Sequence, residues 1–250
     1  MRLALLSDIH ANLQALDACL EHAQNQGADR FAVLGDLVGY GADPVAVVQR
    51  IQALQADGAL VIKGNHDAMV ANPPATVTSV GESTAQWTRD QLSDADRFFL
   101  QQLPLTQQLQ NILLVHGSAD DPERWRYVTD ERAAGASLDA CAEQAHIRYM
   151  FVGHVHFQTL YYRGSGTSLM RFTPTAGVAV PVPKHRHWLA TIGSVGQPRD
   201  GNPQAMYAIM DTDKLQLTFY RVSYDHHSAA GAIRRAGLPA FFADRLETGR

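Results

Sequence analysis

Short apolar runs recur through the first 156 residues of this 250-residue chain, and each run is followed closely by an Asp, Asn or His. The runs are residues 3–6, 31–34, 60–62, 112–115 and 149–152. Short apolar runs bounded by turn residues are typical of strands buried in the core of a sheet. The sequence therefore predicts five buried strands, each followed by side chains that can bind a metal ion.

Helical periodicity follows the first two predicted strands. Leucine and alanine recur at helical spacing over residues 13–23, and Gly27 ends this segment. Asp43 is placed as the N-cap of a second helix, with Pro44 in the first helical position. Strands that alternate with helices of this length predict βαβ units, whose strands are parallel. Such strands place their ligand-binding side chains beyond their carboxyl ends.

The rest of the chain has further helices and a β-rich region. We expect helices at residues 84–92, from Ser93 with a capping box to Asp96, at residues 137–145, and from about residue 228. Strands are expected at residues 159–162, 169–173, 188–192, 205–210 and 215–222, with a hairpin between the last two. Residues 177–187 are interpreted as an irregular rim loop. A β-rich half after a βα half predicts two packed sheets with helices outside, in one domain over residues 1–250.

Composition and charge limit the possible classes of function. The formal net charge is −4 and no cluster of Lys and Arg stands out, which argues against a nucleic-acid-binding surface. The two cysteines, Cys19 and Cys141, are too few for a disulfide framework. The sequence shows neither a signal peptide nor an apolar stretch of about 18 residues, so we expect a cytoplasmic protein without a membrane span.

The polar residues that follow the predicted strands are of the types that bind metal ions. They are Asp8 with His10, Asp36, Asn65 with His66 and Asp67, His116, and His154 with His156. Oxygen and imidazole ligands together favour a divalent transition metal over Ca²⁺. A single Asp-x-His pair occurs by chance in many chains. Five such strand ends at one edge of a sheet indicate a metal site.

This set of motifs resembles the calcineurin-like metallophosphoesterase superfamily, both in residue type and in order along the chain. Residues 35–41 (GDLVGYG) and 193–199 (GSVGQPR) are also similar to the bacterial YfcE-like phosphodiesterase branch. The resemblance implies a four-layer αββα sandwich of two mixed β-sheets flanked by helices. The metal site would lie at the carboxyl ends of the strands.

The resemblance further implies a cofactor of two divalent metal ions that share Asp36. The first ion would be held by Asp8, His10, Asp36 and His156. The second ion would be held by Asp36, Asn65, His116 and His154. A hydroxide shared by the two ions would attack phosphorus, because divalent ions lower the pKa of bound water. Manganese is the first expectation, and iron, nickel, cobalt or zinc would suit the same ligands.

The same resemblance assigns roles to residues around the ions. Asp36 and His66 would be catalytic, with His66 stabilising charge or protonating the leaving oxygen. Asn65, His66 and Asn12 would contact the phosphate of the substrate. Asp67 would fix the tautomer of a histidine through a hydrogen bond, or would only cap the start of a helix.

The predicted activity is hydrolysis of a small phosphoester, with phosphodiesters favoured over phosphomonoesters. Phosphoprotein phosphatases of the superfamily carry an arginine in the loop that corresponds to residues 35–41, where this chain has none. A phosphoprotein or nucleotide phosphatase is therefore the second hypothesis. A non-catalytic scaffold ranks below it because every ligand position is intact. Tyr40 and Arg199 lie in loops that are compatible with substrate contact, whereas Trp125 is interpreted as a packing residue.

Overall fold

The structure, a computed structural model, describes residues 1–73, 75–79, 81–142, 144, 146–164 and 168–250. These residues form two six-stranded β-sheets that pack against each other, with helices on the outer faces. The strands are β1 (Arg2–Leu6), β2 (Arg30–Val33), β3 (Leu60–Val61), β4 (Thr106–Leu109), β5 (Ile112–Val115), β6 (Tyr149–Val152), β7 (Gln158–Arg163), β8 (Leu169–Phe172), β9 (Ala179–Pro181), β10 (Trp188–Ile192), β11 (Ala205–Asp211) and β12 (Gln216–Val222). The α-helices are α1 (Leu13–Asn25), α2 (Pro44–Ala56), α3 (Asn65–Ala71), α4 (Ala85–Gln91), α5 (Asp94–Gln102), α6 (Glu131–Asp139), α7 (His226–Arg235) and α8 (Ala240–Thr248).

Both sheets contain parallel and antiparallel strands. The first sheet has the order β3-β2-β1-β11-β12-β9, in which β1, β2 and β3 are parallel and the other pairs are antiparallel. The second sheet has the order β4-β5-β6-β10-β7-β8, in which β5, β6 and β10 are parallel. The predicted sandwich of two mixed sheets flanked by helices is therefore confirmed.

Strand β1 is buried on both of its faces. Leu3 and Leu5 lie in the core between the sheets, together with Leu114 and Phe151 of the second sheet. Leu6 packs on the opposite face, in the core that includes residues of α1 and α2. A strand covered on both faces has no polar alternation, which explains the uninterrupted apolar runs of the sequence.

The carboxyl ends of the parallel strands meet at one edge of the sandwich. Asp8, just after β1, donates its backbone N–H to the carbonyl of Gly35 after β2, at 3.0 Å. Gly153, just after β6, donates its N–H to the carbonyl of His116 after β5, also at 3.0 Å. The loops after four central strands are thus tied together in pairs by backbone hydrogen bonds.

Most predicted helices are confirmed, but one was misplaced. Ser93 and Asp96 form the expected capping box at the start of α5. The helix expected at residues 137–145 is α6, which begins at Glu131 because the Asp130 carboxylate accepts a hydrogen bond from the N–H of Ala133 at 2.8 Å. Residues 143 and 145 of that prediction lie outside the described residues. Among the described helices, none is long and apolar enough to cross a membrane.

Two edge strands, β4 and β9, were not predicted from the sequence pattern. Strand β4 has the polar sequence TQQL, and it forms because β5 offers it a free edge. Strand β9 lies within the segment predicted to be irregular, and it pairs with the outer edge of β12. Pro181 is tolerated in β9 because an edge strand needs hydrogen bonds on one side only. The prediction of a wholly irregular loop at residues 177–187 was therefore wrong.

Candidate metal centre

The predicted ligands converge from five loops at the edge where the parallel strands end. Asp8 and His10 follow β1, Asp36 follows β2, Asn65 begins α3 after β3, His116 follows β5, and His154 and His156 follow β6. Asn65 is half-buried, and the other six side chains are buried. Buried carboxylates and imidazoles require compensating partners, so their concentration in one place indicates a functional site.

The backbone at this edge is strained where it presents ligands. Five of the seven predicted ligands have positive φ: 54° at Asp8, 50° at His10, 52° at Asp36, 66° at His154 and 63° at His156. This left-handed region is uncommon for residues other than glycine. Each such residue costs on the order of 1–3 kcal/mol, and such residues cluster at functional sites.

Two glycines allow the loops after β2 and β3 to touch. A Cβ at Gly64 would lie 2.2 Å from both the backbone nitrogen and the Oδ1 of Asp36. A Cβ at Gly35 would lie 2.4 Å from the backbone nitrogen of Gly64. Gly64 is therefore required by its close approach to Asp36, and Gly35 by its close approach to the backbone of Gly64.

The first ligand group surrounds the carboxylate of Asp8. His156 Nε2 lies 3.2 Å from Asp8 Oδ1 and 3.2 Å from His10 Nε2. His10 Nε2 lies 3.8 Å from Asp8 Oδ1 and 3.8 Å from Asp36 Oδ2. The structure thus brings together all four residues expected around the first ion.

The second ligand group surrounds His116. Its Nε2 lies 3.3 Å from Asp36 Oδ2 and 3.2 Å from Asn65 Oδ1. A ring nitrogen of His154 lies within 4.8 Å of the ligand atoms of Asp36 and His116. The Oδ2 atom of Asp36 lies near ligand atoms of both groups, 3.8 Å from His10 Nε2 and 3.3 Å from His116 Nε2, as expected for a carboxylate shared by two ions.

Backbone carbonyls fix the orientation of three histidine rings. The Nδ1 atoms of His10, His116 and His156 lie 3.3, 2.6 and 2.7 Å from the carbonyl oxygens of Val38, Leu34 and Gln197. A carbonyl only accepts, so each Nδ1 carries the hydrogen and directs Nε2 towards the carboxylates. Metal-binding histidines are held by outer hydrogen bonds of this kind.

The nitrogen and oxygen atoms of this cluster are suited to divalent metal ions because several of them converge on one place. With Nδ1 turned to a backbone carbonyl, His156 Nε2 faces both Asp8 Oδ1 and His10 Nε2, each at 3.2 Å. Among the described residues, Asp8 Oδ1 and His154 Nε2 are buried atoms without a hydrogen-bond partner. Leaving such atoms unpaired is costly, and a cation bound by several of them removes that cost.

Burial and charge shift the pKa values of the ligands in the protein alone. Burial opposes ionisation of Asp36, yet His116 and His66 hold the pKa of this carboxyl well below its usual range. Burial also lowers the pKa of His116, but the Asp36 carboxylate outweighs it and raises the pKa of His116 to about 9. Burial lowers the pKa of His154 to about 3. Without metal, His116 is therefore protonated and lies against the ionised Asp36 carboxylate, 3.3 Å away.

His66 lies beside the ligands at the mouth of the site. Its backbone N–H donates to Asp36 Oδ1 at 2.8 Å. Its ring centroid lies 5.0 Å from that of His10 and 4.4 Å from that of Tyr40. The ring is thus held next to the carboxylate shared by both ligand groups, and burial lowers its pKa.

Asp67 caps the start of α3, which is the second of its two predicted roles. Its carboxylate accepts hydrogen bonds from the backbone N–H groups of Gly64 at 2.9 Å, Leu37 at 2.9 Å and Val38 at 3.3 Å. It contacts backbone donors rather than a histidine ring, so the expected histidine partner was wrong. The carbonyl of Val38 receives the Nδ1 hydrogen of His10, so Asp67 acts on the ligands through this loop.

Asn12 is used by the fold rather than presented to a substrate. Its Oδ1 accepts from the N–H of Ala15 and caps α1, at 3.1 Å. Its Nδ2 donates to the carbonyl of Gly196 at 2.9 Å and to the hydroxyl of Tyr224 at 3.2 Å. With both ends of its amide engaged and its side chain buried, the predicted phosphate contact of Asn12 is not supported.

An open cleft of about 590 Å³ leads to the second ligand group. Its wall includes Tyr40, Asn65, His66, Trp125, Tyr127 and His154. Trp125, interpreted from sequence as a packing residue, lies here with its ring centroid 5.9 Å from that of His116. Tyr127 was not anticipated, and its ring stacks on His154 with centroids 3.9 Å apart and an interplanar angle of 13°. Trp125 and Tyr127 both lie in the irregular segment before α6, where the sequence shows no periodicity that would identify them as residues of the site.

Comparison with known proteins identifies the family. The family model described as the calcineurin-like phosphoesterase superfamily domain matches residues 1–215. The chain belongs to the calcineurin-like phosphoesterase superfamily.

Relatives of this calcineurin-like phosphoesterase include full-length matches. It is 31% identical to the uncharacterized protein MJ0912 of Methanocaldococcus jannaschii, over 99% of this chain and 98% of the relative. It is 26% identical to phosphodiesterase YfcE of Escherichia coli K12, over 87% of this chain and 91% of YfcE. The crystal structure of a metallophosphoesterase from Sphaerobacter thermophilus matches with a TM-score of 0.87 and 32% identity, over 100% of this chain and 99% of that one. The resemblance to the superfamily and its YfcE-like branch is thus confirmed.

Proposed function

We propose that the protein is a phosphodiesterase that depends on two divalent metal ions, with phosphomonoesters as poorer substrates. The observation that carries the proposal is the meeting of metal-binding atoms in one buried cluster, above all His10 Nε2, His156 Nε2 and Asp8 Oδ1. Such a cluster is suited to cations and is unsuited to an empty protein interior.

The residues that would hold the ions are the seven of the two ligand groups. The first ion would be held by Asp8, His10, Asp36 and His156, and the second by Asp36, Asn65, His116 and His154. When bound, divalent ions supply positive charge to the phosphoryl oxygens and lower the pKa of water. Mixed oxygen and imidazole ligands suit manganese, iron, cobalt, nickel or zinc over Ca²⁺, and manganese is our first choice.

The protein's own contribution to the reaction falls mainly on His66. Its ring borders both the cleft and the Asp36 carboxylate, so a phosphate bound there lies within its reach. It is placed to stabilise negative charge on the phosphoryl group or to protonate the leaving oxygen. Asn65 lines the same cleft and is proposed to contact the phosphate beside it.

The cleft favours a diester over a monoester. Its described wall includes the aromatic rings of Tyr40, Trp125 and Tyr127, and Arg199 lies outside this wall, with its guanidinium carbon 5.8 Å from the Tyr40 ring. A phosphodiester carries one negative charge and two organic arms, and the aromatic wall can cover one of those arms. A phosphomonoester carries up to two charges and would gain more from a cationic wall. The likeness to phosphodiesterase YfcE supports the same preference.

Hydrolysis of bis-p-nitrophenyl phosphate and of p-nitrophenyl phosphate tests the proposal. The protein is stripped with a chelator, and Mn²⁺, Ni²⁺, Co²⁺, Zn²⁺ or Mg²⁺ is then added in turn. We expect no turnover of either ester without metal, and restored cleavage with the diester turned over faster. Failure of every ion to restore diester cleavage in protein that has bound metal would contradict the proposed activity.

A further inference from the structure

Two arginines from distant parts of the chain meet beside the cleft without an acidic partner. Arg199 donates to Gln197 Oε1 from Nε at 3.3 Å and from Nη2 at 2.8 Å. Arg245 of α8 donates to the same oxygen from Nη1 at 3.2 Å. The neutral Gln197 Oε1 therefore accepts hydrogen bonds from two positively charged guanidinium groups.

The acidic residues nearest in sequence are engaged elsewhere. Asp244 and Glu247 of α8 both pair with Arg234, at 2.8 and 2.7 Å. Asp200 pairs with Arg221. Within the described ranges, no carboxylate forms an ion pair with Arg199 or Arg245, and their guanidinium groups lie instead over the rings of Tyr40 and Phe241.

The hydrogen-bonding capacity of Arg245 is also incomplete. Its Nε is buried and has no hydrogen-bond partner among the described residues. Burial, and then the charge of Arg199, lower the pKa of Arg245. A buried donor without an acceptor and two adjacent like charges are both stabilised by a bound anion.

The arginine pair is adjacent to the metal cluster but does not belong to it. The guanidinium carbon of Arg199 lies 5.8 Å from the ring centroid of Tyr40. The same ring also packs against His10 and His66 of the metal cluster, with centroids 4.6 and 4.4 Å away, and against Phe242 of α8 at 4.8 Å. Tyr40 thus contacts the reacting end of the cleft and Arg199 at the same time.

We propose that Arg199 and Arg245 form a subsite for a second anionic group of the substrate, an oxyanion such as phosphate or carboxylate carried on one arm of the phosphoester. This inference rests on the proposed phosphoesterase function. Guanidinium groups bind oxyanions through paired, charge-assisted hydrogen bonds. Gln197 positions the subsite. Its side-chain Oε1 accepts from both arginines, and its backbone carbonyl accepts the Nδ1 hydrogen of the proposed ligand His156 at 2.7 Å.

The first test measures binding of inorganic phosphate to the metal-free protein by calorimetry, so that it requires no catalysis. The variants are Arg199→Gln and Arg245→Gln, with Arg235→Gln as a control that removes the same charge from an exposed position on α7. We expect the dissociation constant to rise about tenfold in the first two variants, as for loss of a charged hydrogen bond, and not in the control. Equal dissociation constants in all four proteins would overturn the subsite. Thermal melts verify that each variant is folded. Because the two arginines lie in separate segments of the chain, either variant alone can decide the test if the other does not fold.

The second test compares two substrates with the same leaving group in the manganese-loaded protein. Phenyl 4-nitrophenyl phosphate has a neutral arm, and 4-carboxyphenyl 4-nitrophenyl phosphate carries one additional anion. We expect the ratio of kcat/KM for the charged over the neutral ester to fall about tenfold in Arg199→Gln and Arg245→Gln and to stay constant in Arg235→Gln. An unchanged ratio in all variants would overturn the subsite while leaving the phosphoesterase function intact. If the wild-type protein cleaves neither ester, the proposed function fails and the phosphate titration alone decides on the subsite.

Discussion

The Nε2 atoms of His10 and His156 lie 3.2 Å apart, and in the neutral rings neither can donate a hydrogen bond to the other. Each ring directs its Nδ1 to a backbone carbonyl, Val38 for His10 and Gln197 for His156. The free ring nitrogens therefore converge on one point beside the Asp8 carboxylate. This arrangement is suited to both nitrogens binding one cation.

The first prediction is that divalent metal stabilises the fold. Chelator-stripped protein should melt at a lower temperature than protein with Mn²⁺, because an ion offsets the unpaired acceptors and the strained ligand backbone. At a free ion concentration of one hundred times the dissociation constant, the gain is about 2.7 kcal/mol. Scanning calorimetry measures it. His156→Ala should reduce the gain, whereas His185→Ala at an exposed position should keep it. An identical melting temperature with and without ions would count against a metal site.

The second prediction concerns the carboxylate shared by both ligand groups. Asp36→Asn should lower kcat/KM for the diester by more than about a hundredfold, because even outer partners of metal ligands are worth about 10- to 100-fold. Steady-state kinetics with added Mn²⁺ measures the effect. Asp57→Asn, at an exposed position just after α2, is the matched control and should behave as wild type. Full activity of Asp36→Asn would refute its role.

The third prediction distinguishes an effect of His66 displacement on kcat from an effect of lower folding stability. Gly39 has φ of +90°, and a Cβ there would lie 2.6 Å from His66 Nδ1. Gly58 has φ of +94° with nothing within 4 Å of an added Cβ. Alanine at either position should cost roughly 1–2 kcal/mol of folding free energy through the left-handed backbone. Only Gly39→Ala should also displace His66 and lower kcat. Equal kcat values for the two folded variants would argue against a catalytic role of His66.

The fourth prediction is that metal uptake releases a proton. The pKa of His116 is raised to about 9 by the Asp36 carboxylate acting against burial, so this ring is protonated at pH 7.5 in the metal-free protein. A metal ion binds the deprotonated ring, so binding at pH 7.5 should release about one proton and become tighter as the pH rises towards 9. Calorimetry in buffers of different ionisation enthalpy counts the proton. A binding enthalpy independent of the buffer would contradict this prediction, and His116→Gln should abolish the release.

The residues of the proposed ligand groups could be found from sequence because their signal is local. Asp8, Asp36, His116 and His154 each follow closely after a buried apolar run, and the order of parallel strands brings such strand ends together. The fold class followed from the same alternation of strands and helices. These features depend on short-range patterns, which one sequence displays directly.

Features that depend on distant partners were missed or misjudged. Asn12 was predicted to contact the substrate, but its side-chain amide donates hydrogen bonds to Gly196 and Tyr224, which are distant in sequence. Tyr127 lies in a loop without periodicity and gains its place only by stacking on His154. The polar strand β4 forms because β5 offers a free edge, which no property of TQQL predicts.

The most direct test of the central claim is the metal content of the protein after loading with Mn²⁺ and removal of free ions, measured by plasma mass spectrometry. The account predicts two ions per chain in the wild-type protein and fewer in Asp36→Asn, since Asp36 is proposed to bind both. Asp57→Asn should retain two. A wild-type protein that holds no ion, or an Asp36→Asn variant that still holds two, would contradict the two-ion centre.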